Sequence, residues 1–209
     1  MTRPLLITDC DEVLLHMVSH FKTWLDEEQD VTFKMDGGDF ANALRCKDND
    51  KPVEQAEIWR LLNRFFDTEM DRQTEIPGAS GALSVIGENA DVVVLTNLLD
   101  HRRDQRSAQL AGHGIHVPVF TNQGPKGLAI RAIIEEYSPN RAVFVDDLAQ
   151  HHASAAKETP QVGRLHFVGE PSLAAHIPCA HEAGDADARI DRWDEALPWL
   201  LDKLHQEDA

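Results

Sequence analysis

Leu5-Leu6-Ile7-Thr8 runs directly into Asp9-Cys10-Asp11. A short apolar run closed by polar residues reads as a buried parallel strand. In an open parallel sheet, ligands gather at the carboxyl ends of the strands. The same construction recurs twice downstream, as Val92-Val93-Val94-Leu95 ahead of Thr96-Asn97 and Ala142-Val143-Phe144-Val145 ahead of Asp146-Asp147. Lys126 follows Gly124-Pro125 and opens an amphipathic stretch. Three acids, a hydroxyl and a lysine are therefore expected on one rim, a set suited to holding a divalent cation and a phosphate.

Around these stretches, strand-like and helical segments alternate. Helical patterns cover Arg102 to Ala111, Lys126 to Tyr137 (with Leu128, Ile130, Ile133 and Ile134 inside), Leu148 to Lys157 and Trp193 to Leu204. Val117 to Phe120 and Leu165 to Val168 read as further strands. This alternation predicts an α/β fold, a three-layer Rossmann-like parallel sheet.

Residues 15–75 interrupt it. His16 to Glu28 is helical, with Met17, Phe21, Trp24 and Leu25 on one face. Val31-Thr32-Phe33 is a candidate short strand, 36–39 a turn and 40–45 a brief helix. A longer helix is expected from Pro52, which suits a first helical turn, to about Met70. The segment is too long for a loop and is expected to be an inserted, mostly helical cap. Residues 1–14 and 76–209 then form the core domain.

The chain has 209 residues, 42 % of them hydrophobic, enough for one domain carrying an insert. Its 36 acidic and 20 basic residues give a formal net charge of −16. So acidic a surface has no general attraction for nucleic acid or an anionic membrane. A phosphorylated small molecule remains a suitable ligand where a cation and a lysine reverse the local field. No apolar run approaches the roughly 20 residues that span a bilayer, and Met1-Thr2-Arg3-Pro4 leads straight into a strand without a signal-like pattern. The three cysteines lack metal-type spacing, so a reduced, cytoplasmic setting is the expectation. Oligomeric state is not legible.

Asp9 and Asp11, two apart in an extended segment, point the same way. One can serve as nucleophile and the other as general acid/base. With Asp146 from another strand they make an all-oxygen site that suits Mg2+. Thr96 can donate to a phosphoryl oxygen and Asn97 can add a second donor. Lys126, at a helix N-terminus, can bridge carboxylate and phosphate.

This ordered set resembles the haloacid dehalogenase-like (HAD) superfamily, whose members are mostly phosphatases. Asp9-Cys10-Asp11-Glu12-Val13 is similar to the first motif, Thr96 to the second, Lys126 to the third and Asp146-Asp147 to the fourth, with Lys126 twenty positions ahead of Asp146. Ile76-Pro77-Gly78 is similar to the family's entry into the second-motif strand. The resemblance implies a magnesium-dependent hydrolase for a small phosphorylated metabolite. Asp9 would become a phosphoaspartate, Asp11 would protonate the leaving oxygen and then activate water, and Thr96 and Lys126 would hold the phosphate. Magnesium would be held by the Asp9 side chain, the Asp11 main-chain carbonyl and Asp146, with Asp147 in support. Glu12 departs from the family, which usually has glycine there.

Alternative functions are a phosphotransferase or phosphomutase on the same site, and a catalytically weak ligand-binding or regulatory member of the fold. Plainer readings accompany single residues. Asp146-Asp147 can cap the helix that follows, and Cys10 is expected in the core rather than as a nucleophile. His151-His152 is read as an exposed pair. Trp24, Trp59 and Phe65 are candidates for pocket walls, though cap core is the plainer reading. Lys34, Arg45, Lys47 and Lys51 form a loose basic group able to meet an anionic substrate.

Overall fold

The computed structural model describes residues 2–34 and 42–206. Six strands form one sheet in the order β5-β4-β1-β6-β7-β8, all neighbours parallel. The strands are β1 (Leu5–Thr8), β4 (Asp91–Thr96), β5 (Val119–Thr121), β6 (Ala142–Asp146), β7 (Gly163–His166) and β8 (Ala188–Arg189). β1 lies between β4 and β6 in matched register, with Thr8 opposite both Val94 and Val145. The chain moves outward from β1 through β4 to β5, then returns to β6 on the other side of β1. That reversal opens a crevice at the carboxyl ends of β1 and β6.

Alternation along each strand builds the layers, because successive side chains face opposite sides. Leu6, Val92, Val94, Val143 and Val145 share one core with Leu83 and Ile86 of α3 (Ala79–Gly87), and with Trp193 and Leu200 of α8 (Trp193–His205). Leu5, Ile7, Val93, Leu95 and Phe144 face the other way. There they meet Ile130 and Ile133 of α5 (Gly127–Tyr137) and Ala155 of α6 (Ala149–Glu158). This is the three-layer α/β architecture expected. Leu128 is the exception on α5, being 58 % exposed rather than inside.

Between β1 and α3 the chain forms α1 (Val18–Glu28), the antiparallel pair β2 (Val31–Phe33) and β3 (Leu44–Cys46), and α2 (Gln55–Thr68). A short 3-10 turn follows at Met70–Arg72. Phe21, Trp24, Leu61, Phe65 and Met70 pack together with Leu98 and Val168 from the sheet's rim. The linkers into and out of this segment pair with each other, since Leu15 bridges Glu75 and the His16 amide donates to the Thr74 carbonyl at 2.9 Å.

The turn expected at 36–39 lies outside the described residues. Three local expectations are corrected. Residues 44–45, expected at the end of a brief helix over 40–45, belong to β3, paired with β2. Pro52 is not in the first turn of α2. It bridges Arg45 beside the hairpin, where a missing N–H costs nothing, and the helix begins at Gln55. Residues 170–190, read as loop, contain α7 (Pro171–Ala174) and the edge strand β8. Among the described residues, no helix is long and apolar enough to cross a membrane.

Candidate active site

Asp9 stands one residue past β1, and its amide donates to the Val145 carbonyl at 2.8 Å. Asp146 ends β6, and Asp147 follows it. One carboxylate oxygen from each of Asp9, Asp146 and Asp147 lies within 4.8 Å of the others, and all three residues are buried. Lys126, fully buried at the start of α5, reaches both Asp9 Oδ1 (2.8 Å) and Asp146 Oδ2 (2.7 Å). Close helix packing places it there. A Cβ on Gly127 would sit 2.4 Å from the Ser154 carbonyl, so only glycine lets α5 approach α6 at this point.

Three buried acids face one ammonium. Burial raises the carboxyls of Asp9 and Asp147 above the usual range, and neighbouring carboxylates add to it. Asp146 bears the largest effect from burial, which pushes it up, but Lys126 together with His151 and His152 outweighs it and holds the carboxyl below the usual range. Lys126 is held more firmly charged than usual, because Asp146 and Asp9 together outweigh its burial. The excess of buried negative charge, all of it on oxygen, fits a divalent cation. Asp146 Oδ1 also accepts from the Leu148 amide at 2.8 Å, an Asx-type turn just ahead of α6 rather than a cap on the helix itself. Thr96 ends β4 fully inside, and its hydroxyl has no hydrogen-bond partner among the described residues. Asn97 is tied back to the loop ahead of Lys126, donating to the Gly124 carbonyl at 3.0 Å.

Asp11 is placed differently. Its carboxylate is not among the three that converge. Arg106 Nη2 of α4 (Arg103–Gly112) lies 3.0 Å from each of its oxygens, and Gln73 Nε2 donates to Oδ1 at 2.7 Å. The other arm of Arg106 contacts Cys10 Sγ at 3.0 Å. Cys10 is buried in the core as expected, and burial pushes its thiol far up, which removes it as a nucleophile.

Glu12 occupies the glycine position with a left-handed backbone, φ +60°. Its carboxylate is turned out of the acid cluster and accepts from the amides of Met17 (2.9 Å) and Val18 (2.6 Å).

His151 and His152 are buried, not exposed. His152 Nε2 lies 2.9 Å from the Asp146 carbonyl, and His166 Nε2 lies 2.8 Å from that of Asp147. Because His166 Nδ1 accepts from the Ala180 amide, its Nε2 carries the proton and donates. The two rings brace the backbone under both acids. Trp24 and Phe65 lie in the core of the inserted segment, with ring centroids 5.8 Å apart, while Trp59 is 57 % exposed. In the basic group, Lys47 pairs with Asp26 (2.9 Å), Lys34 lies 3.8 Å from Asp50, and Arg45 donates to the Asp50 carbonyl.

Arg106 and its neighbours escaped the sequence reading. Arg102, Arg106, Gln109 and His113 follow the 4-3-4 spacing of a core-facing helical stripe, but with polar side chains. Arg102 donates to Asp67 (2.7 Å) and Asn63 (2.9 Å) of α2, and Gln109 reaches the Met70 carbonyl. Three long polar residues at that spacing, on a helix following a strand-end threonine, were the available signal.

No protein-family model matches the chain, and no curated protein matches it. Solved structures match along nearly its whole length. A haloacid dehalogenase-like protein of unknown function from Agrobacterium tumefaciens superposes with a TM-score of 0.67 at 19 % identity, covering 94 % of this chain and 96 % of that one. A Haemophilus somnus structure, whose predicted activity is phosphoglycolate phosphatase, gives 0.65 at 13 % identity, covering 94 % and 97 %. YfnB of Bacillus subtilis, bound to magnesium, gives 0.63 at 14 % identity, covering 96 % and 100 %. The chain thus shares the α/β fold of these haloacid dehalogenase-like structures.

Proposed function

We propose that the chain is a magnesium-dependent phosphomonoester hydrolase that acts on a small phosphorylated metabolite through a phosphoaspartate on Asp9. The observation that carries this reading is the convergence of Asp9, Asp146 and Asp147 on one point with Lys126 bridging two of them. The magnesium-bound YfnB and the Haemophilus relative support it.

Asp9, Asp146, the Asp11 main-chain carbonyl and Asp147 would hold magnesium, which would supply positive charge that offsets the phosphate and withdraws electron density from it. Asp9 attacks phosphorus. Lys126 keeps the Asp9 carboxylate oriented and neutralises the incoming phosphoryl group. Thr96, whose buried hydroxyl is otherwise unpartnered, donates to a phosphoryl oxygen. Asp11 gives a proton to the leaving oxygen, then takes one from the water that hydrolyses the phosphoaspartate. Residues 15–75 act as the cap that covers the reaction, and the protein works in the cytoplasm.

Release of inorganic phosphate from a panel of phosphomonoesters tests the reading. Wild-type protein is expected to turn over at least one ester with magnesium, to fall silent in EDTA and to recover on adding the metal. Asp9→Asn is expected to release none. An Asp9→Asn protein with full activity would remove the covalent scheme, and transfer of labelled phosphate to a sugar in preference to water would make the protein a phosphotransferase.

A further inference from the structure

We propose that Arg106 is a positioning residue for Asp11 and that, with Gln73, it fixes the orientation in which Asp11 passes its proton to the leaving oxygen. The proposal rests on the hydrolase reading above. Arg106 is fully buried, an expensive place for a guanidinium unless it serves a partner. That partner is Asp11, contacted by Nη2 at 3.0 Å on both oxygens. The guanidinium is itself held in place by Cys10 Sγ at 3.0 Å and by the ring of Phe66, 5.8 Å from its centre.

The two oxygens of Asp11 are not equivalent. Oδ1 takes two donors, Gln73 Nε2 and Arg106 Nη2, whereas Oδ2 takes Arg106 alone. Oδ2 thus keeps lone-pair capacity for a proton, and the side chain is 17 % exposed, open enough for a leaving group to reach. A carboxylate free to rotate would present either oxygen in many directions. Two fixed donors on Oδ1 leave one oxygen and one direction.

The chemistry served is balanced. An Asp9 oxygen forms a bond to phosphorus, the ester P–O bond breaks with its electron pair going to the leaving oxygen, and that oxygen takes the proton from Asp11. A poor leaving group needs this proton as the bond breaks, and a good one such as 4-nitrophenolate does not. Because kcat/KM reports steps up to the first irreversible one, it isolates the transfer from hydrolysis of the phosphoenzyme.

The test compares kcat/KM for alkyl phosphates and 4-nitrophenyl phosphate in wild type, Arg106→Met, Arg106→Lys, Gln73→Leu, Asp11→Asn and the Asp11→Asn/Arg106→Met double variant. Arg106→Met is expected to lose roughly 100-fold with alkyl esters and less than about 3-fold with 4-nitrophenyl phosphate. Arg106→Lys should recover part of the alkyl activity, and Gln73→Leu should show a smaller loss of the same selectivity if the buried arginine proves indispensable for folding. In the Asp11→Asn background, removing Arg106 should cost nothing further. An equal loss with every leaving group, a gain of activity in Arg106→Met, or additive losses in the double variant would overturn the proposal while leaving the hydrolase reading intact. A wild-type protein inert toward every ester would overturn both.

Discussion

Glu12 caps α1: its Oε1 lies 2.6 Å from the Val18 amide and 2.9 Å from that of Met17. A residue close behind Asp9 thus holds the first helix of the inserted segment. The cost is a left-handed backbone at a non-glycine residue. Glu12 stands where the resembling family usually has glycine, and it adopts the left-handed backbone that glycine allows.

That division of roles can be measured. Glu12→Ala loses only the cap and keeps the strained backbone, whereas Glu12→Gly loses the cap and the strain together. Glu12→Ala should unfold earlier in urea than the wild type, and the glycine variant should be the more stable of the two by about 1 kcal/mol. Equal midpoints and slopes would mean that φ +60° carries no cost here.

Lys126 is the only ammonium touching the buried acids Asp9 and Asp146 among the described residues. Lys126→Met leaves those carboxylates without their counter-charge and should destabilise the metal-free protein by about 3–5 kcal/mol, read by denaturant unfolding in EDTA. Magnesium should then stabilise this variant more than it stabilises wild type, because the ion takes over the missing charge. A variant as stable as wild type in EDTA would contradict the charge excess described for this site.

Metal binding has a readout independent of turnover. At a magnesium concentration about 100 times Kd, wild-type stability should rise by about 2.7 kcal/mol. Asp146→Asn, which removes a carboxylate at the centre of the cluster, should show little of that increment. An unchanged increment would place the ion elsewhere.

His166 predicts a pH dependence. Burial pushes its imidazole down from the ordinary 6.5 to about 4. The folded protein therefore holds it neutral, whereas the unfolded chain takes up a proton below 6.5. Its contribution to stability is complete above pH 6.5 and is lost as pH falls through 6.5 toward about 4. Glu12 works in the opposite direction, since burial raises its carboxyl to about 7, so wild type alone gives a mixed curve. The difference between wild type and His166→Gln isolates the histidine: wild type should lose on the order of 2–3 kcal/mol relative to the variant across that window. A flat difference would mean that the ring is protonated in the folded state.

The sheet was legible because buried parallel strands leave near-continuous apolar runs, and each run here stops at a chemistry-bearing residue. Asp9, Thr96 and Asp146 could be named for that reason and Lys126 for the helix it opens, and the structure sets Asp9 and Asp146 in direct contact with Lys126. What stayed hidden was polar burial. His151 and His152 read as exposed because histidine side by side on a short helix gives no periodic signal; their burial depends on the β6 and β7 backbone beneath them. Arg102 and Arg106 look like solvent-facing charge until α2 and Asp11 arrive from distant parts of the chain. The 44–46 strand was missed since three residues carry too little alternation to outweigh a helical neighbourhood.

Gln73 sits on the return linker of the inserted segment, one residue before the pairing with His16, and donates directly to Asp11. Whatever shifts that segment also disturbs Asp11, the proton donor in the proposed reaction. A molecule that fits the lid badly should therefore bind with ordinary affinity yet react slowly, so discrimination among candidate metabolites would be expressed in turnover number rather than in half-saturation.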